Sequence, residues 1–259
     1  MLCADSPIFC LLWGYAMRTW LSLVCVIAIV IPAGTGWAQN RASAGSERFE
    51  VSSLKAIRPT LVNAVSALEK HDVAGAKAAM EVYDAAWNGV EVYVNFRYID
   101  MYRLIEQTYQ NGITKALNGP NPDMAALAKD GQSMLAKFDE TVGMIEKAPP
   151  ISPLFDDIAR LRIARANLLF VIPAIKAGDF AKARQGVGAF RSSWPKVQGL
   201  VKARSPEASD AIEEGLTDVE AALKQATPNA EQATTLMQAL NLKYNNVLGD
   251  INKEARATK

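Results

Sequence analysis

Set Leu54 on Leu161, and the second half of this 259-residue chain falls on its first half. In that register Arg58 meets Arg165, and Leu61 meets Leu168. Asp72, Ala74 and Ala76 meet Asp179, Ala181 and Ala183. Trp87, Val90, Val94 and Arg97 meet Trp194, Val197, Val201 and Arg204, and Ile105-Glu106 meets Ile212-Glu213. No gap is needed from Leu54 to Glu106. Beyond it, one deletion placed in the following loop brings Lys137–Ile145 onto Lys243–Ile251. A long internal repeat restricts the fold to one module written twice. The much shorter period of a tetratricopeptide array is absent, despite the "AGDFAKAR" stretch.

The module reads as helical. Ala-rich segments carry apolar residues at i, i+3, i+4 and i+7, and no alternating run suggests a sheet. Copy one divides into helices over about 47–70, 73–97, 100–117 and 123–147, broken at His71-Asp72, around Tyr98–Asp100 and at "NGPNP". Copy two breaks at "AGD" (Ala177–Asp179), "RSPE" (Arg204–Glu207) and "TPN" (Thr227–Asn229), with Ser205-Pro206 as an N-cap and first turn. Short connections favour antiparallel neighbours. The expected fold is all-α: two tandem copies of an up-down four-helix bundle related by internal duplication, over 47–148 and 154–259, with a Pro-rich linker at 149–153.

The N-terminus reads as a targeting segment. Leu21–Pro32 is apolar, follows Met17-Arg18 and ends in "GTGWAQN", with small Gly36 and Ala38 at cleavage positions. We expect a signal peptide over 17–38, a polar linker over 39–46, and an over-extended start over 1–16. The alternative is an uncleaved N-terminal anchor. Cys3, Cys10 and Cys25 all precede Ala38, so the mature chain would hold no disulfide, thiolate metal site or covalent haem. The expected product is exported and periplasmic, with no membrane span in the mature chain. Formal charge is +1 with both signs interspersed, so no basic field for nucleic acid is visible.

Candidate chemistry centres on carboxylates. Ala76, Met80, Tyr83, Trp87, Val90 and Val94 form a core stripe, and Glu91 flanks it four residues after Trp87. Glu106 flanks the facing stripe of Met101 and Ile105. Folding the hairpin between Tyr98 and Ile99 brings Glu91 and Glu106 to one level. Asp84 lies seven residues before Glu91 on the same face, and Tyr102 lies near the turn. Facing carboxylates suit a hard cation, and without one a member of the pair is pushed toward protonation. The plainer reading pairs Glu91 and Glu106 with Arg97, Arg103 or Lys115 at the bundle edge. In copy two Glu106 persists as Glu213, but Glu91 becomes Gln198, Asp84 becomes Arg191 and Tyr102 becomes Ser209. A metal site would therefore belong to copy one.

Asn88-Gly89 sits beside Trp87, and Pro195-Lys196 sits beside Trp194. Gly costs about 1 kcal/mol in a helix interior and Pro about 3. One reading is a kink that lets the indole pack; the other is an opened turn beside a ligand pocket. His71, the sole histidine, reads as an exposed helix-end residue, and the methionines fall at core spacing. No phosphate loop, Ser/His/Asp set or HExxH motif is present, so no catalytic activity and no haem are expected.

The run "HDVAGAKAAMEVYDAAWNGVEVYVNFRYIDMYRLIEQ" (His71–Gln107) resembles the periplasmic, non-membrane helical region of bacterial FTR1-type iron permeases. Asn88-Gly89-Val90-Glu91 and Ile105-Glu106 match that region's Gly-aromatic-Glu and IE elements, with Val90 where an aromatic is usual. The permease's membrane half and its REXXE motifs are absent, as is the HxxE of imelysin-like proteins. The resemblance implies a stand-alone exported protein that binds or hands over iron, with Glu91 and Glu106 at the matching positions and a membrane iron permease or other envelope protein as partner. The contrasting expectation is a non-catalytic structural or protein-interaction module of the cell envelope.

Overall fold

The computed structural model describes residues 47–258, and the described residues are helical with no strand. The expected start, signal peptide and linker over 1–46 lie outside the described residues. Helix α1 (Phe49–Glu69) carries Pro59 without breaking. Its C-terminus turns at His71, which takes φ 55, the only left-handed non-glycine among the described residues. Gly178, its counterpart in the repeat, takes φ 74. Both turns return N–H groups to the preceding helix: Asp72 N–H to the Ala67 carbonyl at 3.1 Å and Asp179 N–H to that of Ala174 at 2.9 Å. Glycine adopts this conformation freely, whereas at His71 the turn imposes it. His71 is exposed, as its position predicts.

Asp72 starts α2 (Val73–Arg97) by accepting from Gly75 N–H at 2.9 Å, and Asp123 starts α5 (Met124–Lys147) in the same way. Between them the expected third helix has three parts. These are α3 (Ile99–Tyr102), a π-helical segment (Arg103–Gln110) and α4 (Asn111–Leu117). Helix α1 packs on α2 and α5, and the π segment packs on α5 and α2. After a coil through Pro149–Pro153 come α6 (Leu154–Arg165), a 3₁₀ turn (Ala166–Leu168), α7 (Val171–Lys176) and α8 (Phe180–Ser193). Then follow α9 (Pro195–Lys202), α10 (Pro206–Lys224) and α11 (Ala230–Ala257). The Ser205 hydroxyl accepts from Ala208 N–H at 3.0 Å, so the expected cap is present.

Two breaks differ from the expected helices. The first helix of the second half stops at Arg165 and resumes at Val171, just ahead of Pro173. Proline removes an N–H and crowds the carbonyl four residues back, here that of Leu169. Pro195 likewise divides α8 from α9 at Trp194. At Asn88-Gly89, by contrast, α2 runs on as unbroken α-helix. No opened turn occurs there. A Cβ on Gly89 would stand 2.7 Å from Ile163 Cγ1 and 3.4 Å from Ile163 Cα. The glycine lets α6 pack closely on α2, within one compact unit that holds both halves.

The same sequence stripes form the core. Trp87, Tyr83, Val90 and Val94 are buried in the first half, and Trp194, Val197 and Val201 in the second. The recurrence of arginine also has a cause. Arg97 binds Glu50 at 3.0 Å, and Arg204 binds Asp157 at 3.1 Å. Glu50 and Asp157 correspond in the same register as the two arginines.

A carboxyl pair on a π-helical segment

The π segment places Glu106 against α2. Both Glu106 oxygens accept hydrogen bonds: Oε2 from Trp87 Nε1–H at 3.0 Å and Oε1 from Tyr102 O–H at 2.9 Å. Glu91, one helical turn after Trp87, lies close enough to the Glu106 carboxyl for that group to act on its ionisation. Its other partner is Arg162 of α6, which donates to Glu91 Oε1 at 2.7 Å and to the Asn88 carbonyl at 3.4 Å. The expected level match of Glu91 and Glu106 is what the helices produce. Neither acid bonds to Arg97, Arg103 or Lys115; Arg97 is taken by Glu50, and Arg103 stands 3.6 Å from Asp100.

Electrostatics follow from this packing. Burial pushes the Glu91 carboxyl up to about 8, and the adjacent Glu106 carboxyl adds to the rise. Arg162 opposes both effects without cancelling them. Glu91 therefore keeps its proton near neutral pH. Tyr83 stacks on Trp87 at 6.1 Å, and its hydroxyl is buried without a hydrogen-bond partner among the described residues. Burial, then the fields of Glu106, Asp84 and Glu91, hold that phenol well above its ordinary range.

Asp84 takes a different place. It accepts from Gln110 Nε2–H at 2.5 Å, beside a cleft of about 260 Å³ walled by Lys77, Glu81, Asn111 and Thr114. Burial, then Glu106, raises its carboxyl above the ordinary value. Gln110 is buried, and its Oε1 has no partner among the described residues. No group of three or more His, Cys, Asp or Glu side chains that could hold a metal ion forms among the described residues.

The second half lacks these contacts. Glu213 is taken by Arg191, which also reaches Glu220 at 3.1 Å. The Trp194 Nε1–H is buried without a partner among the described residues. Arg191, standing where the first half has Asp84, takes the glutamate, and the register also changes just beyond it. Buried Ile105 falls on buried Ile212 in the register of Leu54 on Leu161. Buried Gln110, Ile113 and Leu117 instead match buried Leu216, Val219 and Leu223, one residue short of that register. The extra residue of the first half therefore lies inside the helix and not in the loop that follows. A single inserted residue is what a π turn absorbs, and such turns are frequent at functional sites.

Sequence reasoning found both glutamates and the tyrosine at the turn. It missed Arg162 and Gln110. Arg162 comes from the other half, and only the crossing at Gly89 brings it in. Gln110 carried a legible signal, the change of repeat register beside it. Among the described residues no helix is long and apolar enough to cross a membrane. Comparison with protein-family models, curated proteins and solved structures found no match.

Proposed function

We propose that this is an exported, non-catalytic helical-bundle protein that binds a hard metal cation, as a periplasmic accessory of iron uptake. The observation that carries this reading is that the π segment bonds Glu106 to Trp87, one helical turn from Glu91, so that two carboxyls lie together at the α2–π interface. A protonated Glu91 beside a second carboxyl is a site that a cation enters by displacing the proton, since hard cations prefer carboxylate oxygens. The unpartnered Tyr83 hydroxyl beside the pair adds a further oxygen. Asp84, held by Gln110, is the next carboxylate along and raises the negative field at the pair. The resemblance of His71–Gln107 to the iron-permease region supplies the metal and the partner, a membrane iron permease.

The reading as two tandem up-down four-helix copies has its own support. Buried positions correspond in one register up to Ile105 and in a register one residue shorter beyond it. The paired arginine–carboxylate contacts correspond as well.

Calorimetric titration of residues 39–259 with ferrous, ferric, zinc and cupric ions tests the cation site. Saturable binding with proton release, lost in Glu91→Gln/Glu106→Gln, is expected. Absence of binding, or binding untouched by the double change, overturns the proposal.

A second reading, a structural or docking module of the envelope, is favoured by one observation. Arg162 already holds Glu91 at 2.7 Å, so the pair has a built-in cationic partner. In that reading Glu91–Arg162 fastens the two halves, and exposed Val82 and Ile163 face an envelope protein.

A further inference from the structure

The second half contains a cleft that the first half fills with its own side chains. It has a volume of about 460 Å³ and lies between the start of α10 and the C-terminal half of α11. Val201, Ala208, Val247 and Ile251 make an apolar floor, and Asp250 and Glu254 stand in the wall. In the register of Leu54 on Leu161, Ser205, Ala208 and Ala211 stand where the first half has Tyr98, Met101 and Leu104. There the Tyr98 ring and the Met101 thioether pack on the core, and the Tyr98 hydroxyl donates to the Met144 carbonyl at 3.5 Å. Met144 corresponds to Asp250 in the shorter register that follows the π segment. The volume emptied in the second half is thus that of an aromatic ring and a short chain, with a carboxylate added where the ring's polar end would point.

Charge decides what enters. Of the two cations at the cleft, Arg204 is neutralised by Asp157 at 3.1 Å, while Lys243 donates to the Ala211 carbonyl at 3.1 Å and keeps its charge, so two carboxylates stand against one uncompensated cation. The Asp250 and Glu254 side chains have no hydrogen bond or ion pair among the described residues. An apolar floor with unengaged carboxylates at its edge suits a small organic cation. Its hydrocarbon leaves water while its ammonium stays at the acidic rim.

We propose that this cleft is a binding site for small aralkylammonium ligands, with Ala208 and Ile251 under the hydrocarbon and Asp250 and Glu254 on the ammonium. The site is separate from the Glu91–Glu106 pair. Filling the cleft with the first half's side chain, Ala208→Met, removes the space without touching the acids.

The test titrates residues 39–259 with phenethylammonium and, separately, with 3-phenylpropionate, read by saturation-transfer NMR and calorimetry at low salt. Phenethylammonium is expected to bind saturably and the anion more than about tenfold more weakly. Ala208→Met and, independently, Asp250→Asn/Glu254→Gln should each weaken phenethylammonium by more than about tenfold, with far-ultraviolet circular dichroism unchanged. The surface double variant keeps the test decisive if Ala208→Met does not fold. Glu91→Gln/Glu106→Gln should leave this binding unaltered, so failure here and failure of the cation site are told apart. No saturable binding, equal binding of the anion, or binding that survives the folded variants would overturn the assignment.

Discussion

Gly89→Ala sets helix propensity against packing, and the two give opposite signs. Alanine in a helix interior is better than glycine by about 1 kcal/mol. Yet the new methyl would lie 2.7 Å from Ile163 Cγ1 and 3.4 Å from its Cα. Cγ1 is not the free end of that side chain, so the Ile163 side chain must shift, whereas its Cα at 3.4 Å is at ordinary contact. Overpacking of this kind costs about 1–3 kcal/mol. Taking about 2 kcal/mol for the overlap and subtracting the propensity gain leaves a net loss of about 1 kcal/mol. At this chain length that lowers Tm by about 2–4 °C. Ile163 is 41% exposed, so Ile163→Ala alone should lose only about 1 kcal/mol of burial. With the Cγ1 gone, the methyl at residue 89 fits, and the double variant should sit close to the wild type. The coupling between the two sites should then equal the overlap, about 2 kcal/mol. Urea unfolding of all four proteins, compared at equal m, measures it. If Gly89→Ala alone stabilises by about 1 kcal/mol and the two changes add, Gly89 is not the helix crossing and the reasoning fails.

Two further outcomes follow from the ionised groups. Glu91 is held at about 8 against an ordinary value of 4.5, so its protonated form is the one the fold favours. That contribution to stability is complete below pH 4.5 and is lost as pH rises through about 8. The stability difference between wild type and Glu91→Gln, followed by urea unfolding across this window, should slope with pH; a flat difference would refute the raised Glu91 carboxyl. Arg97→Ala should be destabilising by about 3 kcal/mol, because it strands a buried carboxylate. Glu50 is only 3% exposed, though Arg48 keeps a 2.8 Å contact with it and holds the loss near the lower end. The equivalent Arg204→Ala breaks a more exposed pair and should lose about 0–1 kcal/mol, so thermal unfolding of the two variants should differ clearly.

Most helices and their core stripes were legible in the sequence, although the helices over 99–117 and 154–176 are divided in the structure. Helical periodicity is local, and caps such as Asp72, Asp123 and Ser205 act within three residues of themselves. It also placed Glu91 and Glu106 at one level, because equal rise along an antiparallel pair makes that a matter of counting. The repeat even contained the π segment, as a change of register between Glu106 and Gln110. Read as a loop deletion, that signal was misplaced, since a gap is cheapest to imagine where no helix is at stake. The tertiary structure decided the rest. Asn88-Gly89 looks like a helix defect when only its own helix is considered; it becomes a crossing point once α6 lies on it. Arg162 reaches Glu91 across 71 residues of chain, and Asp84 turns to Gln110 instead of joining the pair. These contacts depend on which helix faces lie together and how closely the backbones approach. A one-dimensional pattern fixes each face but not its neighbour.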